Sequence, residues 1–281
     1  MTYLERIVPT LAAALALALL PSLGTLRGAG TSLPAQSAGT PASPITPVPF
    51  GPGEEAKYQL KLGAFSVGEG RLAVTGVEAI RGQPSYQLEM DMEGGIAFAK
   101  VDDEFRSWMD TRTLASRRFI RDVHEVNYKA YRHFEIHPEE KRWERVGSQE
   151  TGRTLSSFPL DELAFVYYVR TLPLRVGETY ELNRYFKDDG NPVVVKVLRR
   201  ERKEVPAGTF NTIVVQPLIR TSGLFGEGGN AEIFFSDDEH RNVVYLRSEI
   251  PIVGSMTLHL TELRQGTPLS SGATTADGSG R

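Results

Sequence analysis

Residues 157–173 constrain the fold more than any other stretch of the chain. Pro159 suits a first helical turn, where its missing N–H costs nothing. Asp161 and Glu162 follow in that turn, where carboxylates favour the positive end of the helix dipole. Pro173 stops the run, because the residue before a proline is pushed away from helical ψ. The interior is apolar on every side of a 3.6-residue wheel: Leu163, Ala164 and Tyr167 on one, Phe165 and Leu172 on another, Val166 and Val169 on a third. A helix with no polar face is buried, and this one is shorter than the ~20 apolar residues that span a bilayer. Phe165 to Val169 is also rich in strand formers, so a short core strand is the competing reading.

Around this stretch the chain alternates. Residues 85–93 put Tyr86, Leu88, Met90 and Met92 on one face and acids on the other. Residues 58–62, 65–77, 103–110, 114–123, 126–137 and 141–145 precede the helix as strands, with Gly68 and Gly70 marking a bulge or bend. Residues 179–186, 193–198, 211–216, 231–235, 243–247 and 256–260 follow it, and Asp189-Gly190 signals a tight hairpin turn. Many short strands with turn signals between them predict an antiparallel all-β domain. The expected fold is mostly β: a strongly curved antiparallel sheet or half-barrel wrapped around one central helix.

The ends have a different composition. Residues 11–20 form a compact apolar run, which reads as the core of a signal peptide over 1–30, or as an N-terminal anchor. Residues 31–49 are a Pro/Ser/Thr-rich disordered linker, 50–265 the all-β domain and 266–281 a disordered tail. The expected location is periplasmic or extracellular, with no stable membrane span after cleavage. The net charge of −3 gives no footprint for nucleic acid or for an anionic membrane. The absence of cysteine excludes disulfides, thiolate chemistry and a lipidated cysteine.

Three blocks carry a family resemblance. They are Leu163 to Leu174 followed by Val176-Gly177-Glu178; Val205-Pro206-Ala207-Gly208-Thr209-Phe210 before a Val/Ile strand; and Phe234 to Val244 with Ile252-Val253-Gly254-Ser255 after it. In this order they resemble the domain-of-unknown-function 3108 family, whose members are exported bacterial envelope proteins without an agreed activity. The resemblance implies a curved sheet around a helix, like that of lipoprotein-carrier folds. Phe235 stands where the family more often has tryptophan, so no binding role is carried over to it.

Few residues point to chemistry. His133, Glu135 and His137 share one face of a strand, but the two histidines lie ~13 Å apart on an extended chain, too far to share an ion. His133 and Glu135 with a residue of a neighbouring strand could still form a site, but a solvated polar face with Phe134 and Ile136 inward is the favoured reading. Asp237-Asp238-Glu239 reads as an acidic turn. The glycine-rich residues 223–229 carry an apolar tip, Leu224-Phe225, suited to a lid, a partner contact or rim packing. Arg170 inside the apolar helix needs a partner, expected on a strand. With Phe165, Tyr167, Tyr168, Trp108 and Phe225 it makes up the candidate ligand-binding set. No catalytic residue, metal site or cofactor is expected. The expected function is non-enzymatic: binding or carrying a lipid or other amphiphile of the envelope, which requires an apolar cavity of ~300 Å³ or more. The alternative is a structural or interaction protein that meets another envelope protein and holds no ligand.

Overall fold

The computed structural model describes residues 48–96, 99–125, 128–218, 230–250 and 254–269. The first half runs β1 (Glu55–Leu62), β2 (Phe65–Ile80), β3 (Gln83–Ile96), β4 (Ala99–Asp110), β5 (Ser116–Glu125), β6 (Tyr128–His137), β7 (Arg142–Arg145) and β8 (Thr151–Arg153). Helix α1 (Glu162–Val169) follows. The second half is β9 (Thr179–Leu182), β10 (Val193–Val205), β11 (Gly208–Leu218), β12 (Asn230–Ser236), β13 (Val243–Ile250) and β14 (Gly254–Arg264). All fourteen strands form one antiparallel sheet, ordered β8-β7-β6-β5-β4-β3-β2-β1-β14-β13-β12-β11-β10-β9. Two meanders are thus zipped together by β1 against β14. The sheet is open, with β8 and β9 as its edges, and the helix links those two edges in sequence.

Alternation decides which side faces the core. Tyr86 and Leu88 are fully buried, while Glu89 and Asp91 on the other face hold Arg71 in ion pairs. Cross-strand register carries this face across the sheet: Leu88 lies opposite Val74 and Ser107, and Phe119 opposite Phe134. One apolar cluster takes in these inward residues together with Leu163, Phe165, Tyr167 and Val169 of α1. Packing extends slightly beyond 50–265: Val48 is buried, and Thr267 N donates to Pro52 O at 3.0 Å.

Several local expectations need adjusting. The helix begins at Glu162, with Pro159 and Leu160 outside it. Leu160 instead makes a parallel bridge to Tyr185, and Pro159 O accepts from Ser116 N. Strands β2, β3 and β10 run further than their alternation indicated, and β8 arises where only a polar loop was expected. Asp189-Gly190 does not make a two-residue hairpin turn. It sits in a 3₁₀ turn, Asp188–Gly190, because Asn191 ties the segment to Tyr185 N, Tyr185 O and Lys187 O. Glycine is needed at 190 for proximity, since a Cβ would fall 2.1 Å from the Tyr185 ring. The bulge expected near Gly68 is present, between the Leu60–Gly68 and Lys61–Ser66 pairs.

Candidate functional site

The start of α1 is held by the inner face of the sheet. Asp161 is the N-cap: its Oδ1 accepts from Leu163 N and Ala164 N, both at 2.9 Å. Its Oδ2 accepts from Ser107 Oγ on β4 at 2.6 Å, and its own N–H donates to Ser116 Oγ on β5. The helix-start role read for this aspartate therefore holds. Burial pushes its carboxyl up to about 6, against the pull of these donors. Glu162 turns away, accepting from Tyr185 Oη at 2.7 Å with Arg121 3.8 Å distant.

The other end of the helix is closed by Arg170. Its Nη1 and Nη2 donate to the two carboxylate oxygens of Glu54 at 2.6 and 2.9 Å. Further bonds run to His240 O, Asn242 Oδ1 and Pro49 O. The guanidinium lies 5.3 Å from the Phe50 ring centroid and 5.2 Å from that of Tyr167. Burial disfavours its charge, yet Glu54 outweighs burial and raises the pKa above the ordinary arginine value. The partner is thus an acid one residue ahead of β1, just outside the strand on which it was expected. A crevice beside this pair, lined by Tyr58, Leu72, Val166, Tyr167 and Asn242 among others, has a volume of about 10 Å³. That is the room of one water molecule.

The other candidate residues do not converge. Phe165 and Tyr167 are core side chains at 3% and 2% exposure. Tyr168, on the next position round the helix, is half-buried beneath the guanidinium of Arg184, 4.1 Å from its ring centroid. Trp108 lies on the opposite face of the sheet, clustered with Ile80 and Ile120. Its Nε1 donates to Glu78 and Arg118 covers its ring, so it lines nothing beside the helix. Phe225 and Leu224 lie outside the described residues. His133 pairs with Glu135 and His137 with Glu144 on the outer face, while Phe134 and Ile136 point inward as expected. Among the described residues no group of three His, Cys, Asp or Glu is placed to hold a metal, and no helix is long and apolar enough to cross a membrane.

Phe50, Glu54, Asn242 and Arg184 are the residues that sequence reasoning missed. Glu54 follows Gly-Pro-Gly and precedes an alternating strand. Nothing in that context distinguishes it from a solvated acid.

The DUF3108 family model, described as a protein of unknown function, matches residues 57–261. No functionally curated protein matches the chain. A candidate lipoprotein from Parabacteroides distasonis aligns over 79% of this chain and 99% of its own, at 11% identity and a TM-score of 0.34. A candidate exported protein with YmcC-like fold from Bacteroides fragilis aligns over 78% and 99%, at 9% identity and a TM-score of 0.29.

Proposed function

This chain belongs to the DUF3108 family, and we propose that it is a non-enzymatic extracytoplasmic protein of the cell envelope that acts through its surface rather than by enclosing a ligand. The observation that carries this reading is the state of the helix site. Arg170, the residue that caps the end of the apolar helix, is already paired with Glu54, and the crevice beside it holds about 10 Å³. An enclosed amphiphile needs ~300 Å³ or more. The apolar run at residues 11–20 supports export.

The same reading takes the sheet to curve around α1. Edge strand β9 and strand β5 are ten places apart in the sheet order, ~48 Å if the sheet were flat. Yet Arg184, two residues beyond β9, donates to Leu114 O, two residues before β5. Phe186 packs on Phe119, Phe134 and Trp143 of β5, β6 and β7. Support also comes from Ala207 N, which donates to Leu260 O across from the β10–β11 turn to β14.

The test is native mass spectrometry of the full chain extracted from envelope fractions. A chain found there and free of bound amphiphile at one-to-one stoichiometry is expected. Recovery of a stoichiometric amphiphile that Tyr167→Ala releases would restore the carrier reading. A cytosolic chain would overturn the location.

A further inference from the structure

Arg184 differs from the other arginines that burial or neighbours perturb. It sits in the loop after β9, half-buried. Its Nε donates to Phe158 O at 2.6 Å and its Nη2 to Leu114 O at 3.1 Å. One face stacks on Tyr168, and the Phe158 ring centroid is 5.8 Å away. Among the described residues no carboxylate pairs with it. Burial drives its pKa below the ordinary arginine value, and Tyr168 alone works the other way. Arg71, Arg117 and Arg170 are disfavoured by burial too, but in each of them carboxylates outweigh it and the pKa rises.

A partly desolvated cation without a counter-charge is an unfavourable arrangement unless something supplies one. Two carbonyl oxygens offset part of the cost. The guanidinium is a planar fork of five donors, and a fork of this shape matches the paired oxygens of a carboxylate or phosphate. Its surroundings are ordered rather than loose. Ser156 Oγ accepts from Phe158 N at 2.9 Å and Thr154 Oγ1 donates to Ser156 O at 2.7 Å, fixing the loop that presents Phe158. The same loop exposes Leu155, a large apolar side chain at 52% exposure. An oxyanion attached to an apolar body satisfies both features, whereas a free inorganic anion leaves Leu155 unused.

We propose that Arg184, stacked on Tyr168 and flanked by Phe158, with Leu155 exposed on the loop that carries Phe158, binds the phosphate or carboxylate head group of an amphiphile at the protein surface. The proposal rests on the surface-acting reading above for where such an amphiphile is met; the chemistry of the site stands independently. Its test is co-sedimentation of the full chain with phosphatidylcholine vesicles, with and without phosphatidylglycerol. Binding is expected only with the anionic lipid. Arg184→Gln should weaken it tenfold or more, and Arg184→Lys several-fold, because an ammonium keeps the charge but loses the fork. Leu155→Glu, at an exposed position where substitutions seldom disturb folding, should weaken it comparably and covers the case in which Arg184→Gln fails to fold. Equal binding to both vesicle types, or unchanged binding by Arg184→Lys and Leu155→Glu, overturns the site. Abolition of vesicle binding by millimolar inorganic phosphate, at an ionic strength matched with chloride, overturns the amphiphile as its ligand. Binding in vitro by a chain that fractionates with the cytosol would sink only the envelope location. Absence of binding by an envelope protein would sink only the Arg184 site.

Discussion

Two adjacent tyrosines of one helix carry two arginines in different states. Tyr167 faces the core, and Arg170 beside it is buried, bidentate to Glu54. Tyr168, about 100° further round the helix, faces outward, and Arg184 over it has carbonyls and a ring but no acid among the described residues. The difference follows from solvent. A charge taken fully out of water must bring its counter-charge with it. One left at the boundary can wait for a counter-charge from outside. The first arrangement builds a fold, and the second leaves valence for a partner.

The largest expected effect tests the closed member of the pair. Glu54→Ala leaves Arg170 buried with only carbonyls and one amide, and should cost about 3–5 kcal/mol in urea unfolding of the full chain. Replacing both partners, Glu54→Gln with Arg170→Met, should cost less than half as much, since no orphaned charge remains. Additive losses from Glu54→Gln and Arg170→Met singly would mean that the two residues act separately, and the contrast with Arg184 would collapse.

The sequence made the closed half partly legible. The all-round apolarity of residues 163–169 implied a buried helix, and Arg170 directly after them implied an internal partner. The partner itself was hidden, because Glu54 lies 116 residues away and only the tertiary fold brings the two together. Alternation located most strands and their inward faces, since a two-residue period needs only local pattern. It failed where tertiary bonds override local chemistry: Asn191 refolds the Asp189-Gly190 turn, and Leu160 leaves the helix to pair with Tyr185. Trp108 was assigned to the wrong neighbourhood for a similar reason. Alternation gives two faces but does not say which of them an amphipathic tryptophan with a Glu78 acceptor will choose. Arg184 carried no signal at all, as a missing partner is invisible in sequence.

Asp103 sharpens the comparison by standing between the two cases. It is 1% exposed, its Oδ1 accepts from His124 N, and no donor among the described residues reaches its Oδ2. Burial raises its carboxyl to about 6, with His124 N–H and Arg121 pulling the other way. Unfolded, the same group titrates near the ordinary aspartate value of 3.8. Between these values the folded chain holds more protons than the unfolded one, so stability falls as pH rises from about 4 to about 6 and then levels. Asp103→Asn removes that contribution. The variant should match wild type near pH 4 and exceed it at pH 7 by about 3 kcal/mol. The difference between the two unfolding curves is the readout, because Asp161 titrates over the same window in both proteins. A gap that does not change with pH would show that Asp103 is already neutralised by an internal partner, placing it with Arg170.

The smallest expected effect belongs to the open member. Arg184→Gln forfeits two hydrogen bonds to carbonyls and two ring contacts. Charge-assisted bonds of this kind are worth about 1.5–3 kcal/mol when sealed from water. Here the site is half-exposed, so water can take the place of the guanidinium at Phe158 O and Leu114 O. The substitution also relieves a desolvated charge that no described acid balances. These terms oppose one another, and the net loss in urea unfolding should be at most about 1 kcal/mol. A loss as large as that of Glu54→Ala would make Arg184 a strut of the fold rather than an open valence. A gain in stability would go further than the proposal requires: the folded protein would then carry an uncompensated charge at a cost to itself, as expected of a group whose counter-charge arrives with a ligand.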